Sequence, residues 1–393
     1  MTEFVVLRDL GRPMTNEPFD PPSPEGPSAG EVPSEPRIDA EALTKGEVRS
    51  LSRDPEVRAI ARAMPTRLVH PFEVADAEAA TTAWGITAVG ADVSARTGAG
   101  ITVAVLDTGI DSTHPAFAGV TLIEEDFSGS GNGDTQGHGS HCAGTIFGRD
   151  VGDTRIGVAR GVDRALIGKV LGDDGSGDSV WLFRGIQWAI DQGAHVISMS
   201  LGFDFPGLVK RLIDDDGWPA DLATSAALEA YRANLRMFDA LMQMLRSREP
   251  FDHGTVVAAA SGNESHRDIK PDYEIGVSVP AAAEGVVSVG ALEESSNGLK
   301  VARFSNTFPQ VSAPGVKVLS VKVGGGLRNL SGTSMATPHV AGVAALWWEE
   351  VLASPIPPST SAVVAKLLAR ARTDVFATDV DVADRGVGLV AAP

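Results

Sequence analysis

Four short runs along this chain are apolar at nearly every position: Ile101–Leu106 (I-T-V-A-V-L), Ala165–Leu171, His195–Leu201 (H-V-I-S-M-S-L) and Thr255–Ala260 (T-V-V-A-A-A). Runs of this length, rich in β-branched residues and without polar alternation, read as strands covered on both faces, as parallel sheets require. Thr121–Asp126 reads as a further strand. Between them the period changes. Val180–Gln192 has amphipathic helical spacing, and Leu228, Tyr231, Leu235, Phe238, Met242 and Leu245 recur every three or four positions, predicting one long helix over Ala223–Arg248. Ala336–Trp348 is a small-residue run that predicts a tightly packed, buried helix. The pattern implies an α/β fold with a doubly wound, mainly parallel central sheet flanked by helices.

Three polar clusters stand at the ends of these elements. Asp107-Thr108-Gly109-Ile110-Asp111 closes the first strand, and a carboxylate at the C-terminal end of a parallel strand is where open α/β sheets hold their chemistry. Asp134-Thr135-Gln136-Gly137-His138-Gly139-Ser140-His141-Cys142-Ala143-Gly144 opens a helical continuation. Ser334 sits in L-S-G-T-S-M-A-T-P-H-V-A-G at the start of the buried helix, where free N–H groups and the helix dipole favour negative charge. Pro338 fits a first helical turn. A serine in that place is ordinarily only a cap. With an imidazole and a carboxylate as partners it becomes a nucleophile: a serine hydroxyl needs a base to take its proton, and the base needs a group to orient it.

D-T-G-I-D, G-H-G-S-H-C-A-G and G-T-S-M-A-T-P-H-V-A-G resemble the three signature blocks of the subtilisin-like serine proteases (subtilases), in that family's order. The resemblance spans roughly residues 80 to 393. It implies a three-layer α/β/α fold and a serine endopeptidase working on proteins or peptides, with Asp107 orienting, His138 as general base and Ser334 as nucleophile. Ser261-Gly262-Asn263-Glu264 matches the oxyanion-hole block, making the Asn263 amide the expected donor to the tetrahedral intermediate. Gly172 to Gly177 resembles one substrate-binding edge and Ser200-Leu201-Gly202 the other, so that Gly172, Gly175, Ser200, Leu201 and Gly202 pair with an extended peptide. Ser261, Gly262 and Gly202 line the first specificity pocket, with an apolar or broad preference. A peptide-processing transpeptidase or cyclase would use the same residues, and an inactive binding scaffold would keep the fold.

Length and charge bound these readings. The chain has 393 residues, a formal charge of -18, pI near 4.8 and a single cysteine. That acidity argues against nucleic acid or an anionic membrane as partner, and no apolar stretch approaches the ~20 residues of a membrane span. The opening M-T-E-F-V-V-L-R-D-L lacks a basic n-region and an apolar h-region, so the expected compartment is the cytoplasm. The triad calls for no metal and no other cofactor. Calcium is a candidate without the family's ligands: His114-Pro115 is followed by Ala116, and Arg149–Asp153 forms the loop after the histidine helix. His138 and His141 have H-x-x-H spacing but no third zincin-type ligand.

The N-terminal part reads as a strand over residues 1–10, a proline-rich linker over 11–41 with eight prolines between Gly11 and Arg37, and a propeptide-like segment over 42–78. In the last, Leu43–Arg53 has helical spacing, and Glu56–Ala61 and Thr66–His70 are extended. The segment is similar to the second half of subtilase propeptides, implying an inhibitor of the chain's own active site; a small adapter domain is the other reading. If it is a propeptide, self-cleavage falls between about residues 70 and 82. The catalytic domain occupies 79–393. It carries an insertion at about 203–225, part of a connection longer than the family's by about two dozen residues, with Asp214-Asp215-Asp216 as a solvated turn.

Overall fold

The computed structural model describes residues 2–11, 35–73, 81–252 and 254–393. The chain opens with β1 (Thr2–Asp9), followed by β2 (Pro36–Leu43), α1 (Lys45–Leu51), β3 (Val57–Arg62), β4 (Pro65–Leu68) and β5 (Phe72–Glu73). β1 lies at the centre of an antiparallel sheet, with β2 on one side and β3 on the other. The expected linker is therefore corrected at its end, since residues 36–41 belong to β2; residues 12–34 lie outside the described residues. Proline is compatible with the first position of an edge strand. Past Pro36 the pattern alternates: Asp39 and Glu41 turn to the Arg8 guanidinium at 3.2 and 2.9 Å. α1 is shorter than its helical spacing predicts. Thr44 and Glu47 form a reciprocal capping box at its start, and it ends before Asp54-Pro55.

The larger unit follows with α2 (Trp84–Ala88), β6 (Thr102–Asp107), β7 (Thr121–Asp126), α3 (His138–Phe147), β8 (Arg164–Lys169), β9 (Ser176–Asp178), α4 (Ser179–Asp191), β10 (Val196–Met199), β11 (Leu201–Phe203), α5 (Phe205–Asp214) and α6 (Ala220–Asp252). Then come β12 (Val256–Ala260), β13 (Val286–Glu293), β14 (Lys300–Val301), β15 (Val311–Pro314), β16 (Val318–Val321), β17 (Leu327–Ser331), α7 (Thr333–Leu352) and α8 (Thr360–Ala369). Eight of the strands form one sheet in the order β7-β8-β6-β10-β12-β13, with β14 and β15 both on β13. Every pairing is parallel except β13 with β14. The apolar runs are continuous because both faces are covered. Val103 and Val105 face the α3 and α7 side, while Ala104 and Leu106 face the α4 and α6 side. Three layers result.

The segment after β11 folds as two helices. α6 runs longer than expected at both ends, and its buried stripe is rotated in the first half: Ala223, Ala227 and Ala230 face inward while Leu228 is exposed. The small side chains allow the helix to lie close to β3, where buried Asn234 donates to the Arg62 carbonyl at 2.9 Å. Val5 and Leu7 of β1 join the same core as α4 and α6. The N-terminal sheet thus rides on the helical face of the larger unit and leads into β4, which lies between β11 and β9.

Candidate active site

β6 ends on Asp107, and α3 begins with His138. Asp134 fixes one against the other: its Oδ1 accepts from Thr108 Oγ1 at 2.9 Å and Gly137 N at 2.7 Å, and its Oδ2 from Ser140 N and Oγ at 2.8 and 2.7 Å. Thr108 Oγ1 in turn accepts from Gly139 N at 2.9 Å. Residue 139 must be glycine, since a Cβ there would lie 2.2 Å from the Gly109 carbonyl oxygen. The result is a hydrogen bond of 2.8 Å between His138 Nδ1 and Asp107 Oδ1, with both side chains buried. With the proton on Nδ1, Nε2 presents its lone pair to the cleft. Burial works against the imidazolium, but the facing Asp107 carboxylate, together with the Cys142 sulfur, outweighs it and raises the His138 pKa above the ordinary histidine value.

Ser334 is the second residue of α7. Pro338 lies inside the helix, not in its first turn as its sequence context suggested. Its missing N–H leaves the Ser334 carbonyl without the usual i+4 donor. Two side chains donate to that oxygen instead, Ser200 Oγ at 3.1 Å and Cys142 Sγ at 3.4 Å, tying Ser334 to the junction of β10 and β11 and to α3. Burial pushes the Cys142 thiol up, so it stays protonated. Asp107, His138 and Cys142 do bring ligand-type atoms within 4.8 Å of one another, but this is the hydrogen-bonded pair with a neutral thiol beneath it.

Asn263 faces Ser334 across the start of α7. Its Oδ1 accepts from Thr333 N at 2.9 Å and Thr333 Oγ1 at 2.8 Å, which aims Nδ2 into the cleft. A Cβ at residue 332 would lie 3.0 Å from Nδ2, so Gly332 keeps that approach open. Behind it, buried Asn306 accepts from Glu264 N and Ser265 N, both at 3.1 Å, and donates to Ser261 O at 3.0 Å and Glu264 Oε2 at 2.8 Å. Gly262 has φ of +111°, and a Cβ there would meet Asn306 Nδ2 at 2.3 Å.

The cleft holds the chain's own β4. It pairs antiparallel with β11 through Leu201↔Leu68 and Gly202↔Arg67, and with β9 through Thr66↔Gly177. Leu68 N donates to Gly175 O at 2.8 Å and Val69 N to Ser200 O at 3.5 Å; Gly172 N closes the β9 turn on Ser176 O at 2.8 Å. The Val69 side chain lies over Gly202, close enough that a Cβ there would be 3.8 Å from Val69 Cγ2. Beyond the cleft, β5 pairs with β17 through Ser331↔Phe72, and Phe72 stacks on Phe304 at 4.9 Å. The contacts at the centre are split. Ser334 Oγ donates to Val69 O at 3.0 Å, whereas Asn263 Nδ2 donates to His70 O, also at 3.0 Å. Among the described residues, buried His138 Nε2 has no hydrogen-bond partner.

The structure thus sets Ser334, Asn263, Gly175, Ser200, Leu201 and Gly202 against one extended segment and connects the Asp107–His138 pair to Ser334 through Cys142, with Gly172, Ser261 and Gly262 in the supporting turns. Sequence reasoning gave no role to Asp134 or Thr333, although both stand inside the polar clusters, and it missed Asn306, which nothing local marks. The expected cleavage window overlaps residues 74–80, which lie outside the described residues.

The profile of the Subtilase family matches residues 98–388. The chain is 35% identical over 319 residues to a thermostable alkaline protease of Halalkalibacterium halodurans, covering 79% of this chain and 72% of that protein. It is 35% identical over 257 residues to an intracellular serine protease of Paenibacillus polymyxa, covering 63% and 67%. To subtilisin E of Bacillus subtilis it is 32% identical over 319 residues, covering 79% and 70%.

Proposed function

The chain belongs to the subtilase family, and from that premise we propose how its residues divide the work. It is a serine endopeptidase. Ser334 Oγ attacks the substrate carbonyl carbon while His138 Nε2 takes the hydroxyl proton; the Nδ1–H stays on Asp107 Oδ1, which holds the tautomer and offsets the imidazolium charge. The oxyanion is received by Asn263 Nδ2 and the backbone N–H of Ser334. Collapse expels the amine, which leaves with the proton from His138, and a water molecule resolves the acyl-enzyme by the same route in reverse. The observation that carries the assignment is the convergence of Ser334 Oγ and Asn263 Nδ2 on adjoining carbonyls of one peptide strand.

The segment through β4 to β5 is then the chain's own inhibitor. It pairs as an extended peptide would, yet nucleophile and oxyanion donor engage successive carbonyls instead of the same one. No single carbon meets both groups, so the bound segment is held without being cut. An intracellular site of action is supported by the likeness to the intracellular serine protease of P. polymyxa and by a lone, buried cysteine. No helix among the described residues is long and apolar enough to cross a membrane.

Intact mass over time tests this, with full-length protein and Ser334→Ala each incubated with casein. Casein loss with the wild type alone supports the assignment; casein loss with both removes Ser334 as nucleophile. Early shortening of the wild-type N-terminus, ahead of casein loss, supports the inhibitor reading.

A further inference from the structure

Alternate residues of β4 face opposite ways, as in any strand. Thr66 and Leu68 are buried in the cleft, while Arg67 between them points outward over its rim. Its guanidinium spans two carboxylates, one just after β11 and one in the turn after β12: Nη1 lies 3.4 Å from Asp204 Oδ1 and Nη2 3.6 Å from Glu264 Oε1. Both carboxylates are oriented by contacts that do not depend on Arg67. Asp204 caps α5, accepting Gly207 N at 3.0 Å, and the lack of a side chain at Gly207 lets the carboxylate lie against that backbone. Glu264 directs Oε2 to Asn306 Nδ2 at 2.8 Å, which leaves Oε1 for the rim.

We propose that Asp204 and Glu264 form a cation-selecting subsite, which favours peptide substrates with arginine or lysine two residues before the residue whose carbonyl meets Ser334. The inference rests on the endopeptidase reading, because it takes β4 as the template for a substrate strand. A planar guanidinium spans the two carboxylates more completely than an ammonium does, so arginine exceeds lysine. The pairs are half exposed, and each is worth little alone. Together they set a preference of about fivefold in kcat/KM for arginine over glutamine, and raised salt reduces it.

The test uses full-length protein after it has reached constant activity on casein, and internally quenched peptides that copy the sequence around Leu68. The Arg67 place carries arginine, lysine, glutamine or glutamate. Wild type is compared with Asp204→Asn, which keeps a helix-capping oxygen, and with the double variant that adds Glu264→Gln. The expected result is arginine first and glutamate last with wild type, a smaller ratio with Asp204→Asn, and a ratio near one with the double variant. Equal kcat/KM for arginine and glutamine peptides with wild type overturns the subsite, and Arg67 then serves only to hold the chain's own segment. If casein and every peptide survive, the endopeptidase reading itself falls and the subsite with it.

Discussion

Leu68 offers a direct measure of what keeps β4 in the cleft. Its side chain is 1% exposed, packs in the same core as Leu201 and Val170, and sits over Gly175. Leu68→Ala removes three carbons but leaves the backbone hydrogen bond to Gly175 O intact. At about 0.8 kcal/mol per buried methylene the loss is about 2.4 kcal/mol. Any cavity left at this buried position adds to that figure. Local release of β4 then becomes about 60-fold more populated, since 1.4 kcal/mol is about tenfold. The assay is the initial hydrolysis rate of a small chromogenic peptide by full-length protein, taken while intact mass still shows an unshortened chain. Leu68→Ala should start many-fold faster than wild type and show a shorter lag. Leu68→Met, close to volume-conserving, should differ by less than about tenfold. After the N-terminal segment has been removed, all three proteins should have the same rate. If intact Leu68→Ala starts within twofold of intact wild type while both speed up greatly on processing, access is not governed by β4, and the inhibitor reading fails.

Further outcomes follow from other contacts. Asn263→Ala removes the oxyanion donor and should lower kcat by about 10²–10³ with KM little changed, as loss of this donor does in subtilisin; an unchanged kcat would show that the amide does not face the reacting carbonyl. Asn306→Ala strands buried N–H and C=O groups around residues 261–265, each costing about 1–3 kcal/mol, so a melting transition several degrees lower is expected, and an unaltered one would refute the network's role. Asp178, at the start of α4, has its pKa raised to about 6 by burial and by the nearby Glu3 charge, against the opposing Val180 N–H bond and the charge of Arg211. Below about pH 4 it is protonated whether the chain is folded or not; between there and about 6 only the folded chain keeps the proton, so the fold loses up to about 3 kcal/mol as pH rises through that window. In a Ser334→Ala background, Asp178→Asn should therefore melt like its parent near pH 4 and higher than it above pH 6; a gap that does not grow with pH would count against this.

The catalytic layout was legible because its signals are local. The central strands β6, β10 and β12 are nearly unbroken apolar runs, and each chemical group stands just where such a run ends or a helix begins. Features that depend on distant partners were not legible. Pro338 looked like a helix-start proline, but its effect is to free the Ser334 carbonyl for Ser200 and Cys142, which come from other elements. β2 was hidden in a proline-rich context, and its partner Arg8 lies 31 residues away in sequence from Asp39. The stripe on α6 was drawn through its leucines, yet alanines face the core in the first half because β3 approaches closely there. The Arg67 contacts are invisible in sequence, since Asp204 and Glu264 are brought to one rim only by the pairing of β4 with β11 and by the turn after β12.

The divided contacts at Val69 and His70 raise the question of why the segment does not slide by one residue and place a single carbonyl on both Ser334 and Asn263. A one-residue slip in a strand exchanges its faces. It would carry Leu68 and Thr66 out of the cleft and drive Arg67 inward, away from Asp204 and Glu264. Losing the Leu68 burial costs about 2 kcal/mol, and an arginine buried without its carboxylates costs several kcal/mol more. The far end is held as well, by the pairing of Phe72 with Ser331, its stacking on Phe304 and the Arg303 guanidinium 5.7 Å from its ring centre. Pro71, with fixed φ and no N–H, lies between these anchors and limits how the intervening backbone can redistribute. The same alternation that makes β4 resemble a substrate therefore locks it out of register, and exchange of the inhibitory segment for a substrate requires β4 to leave the cleft as a unit instead of shifting within it.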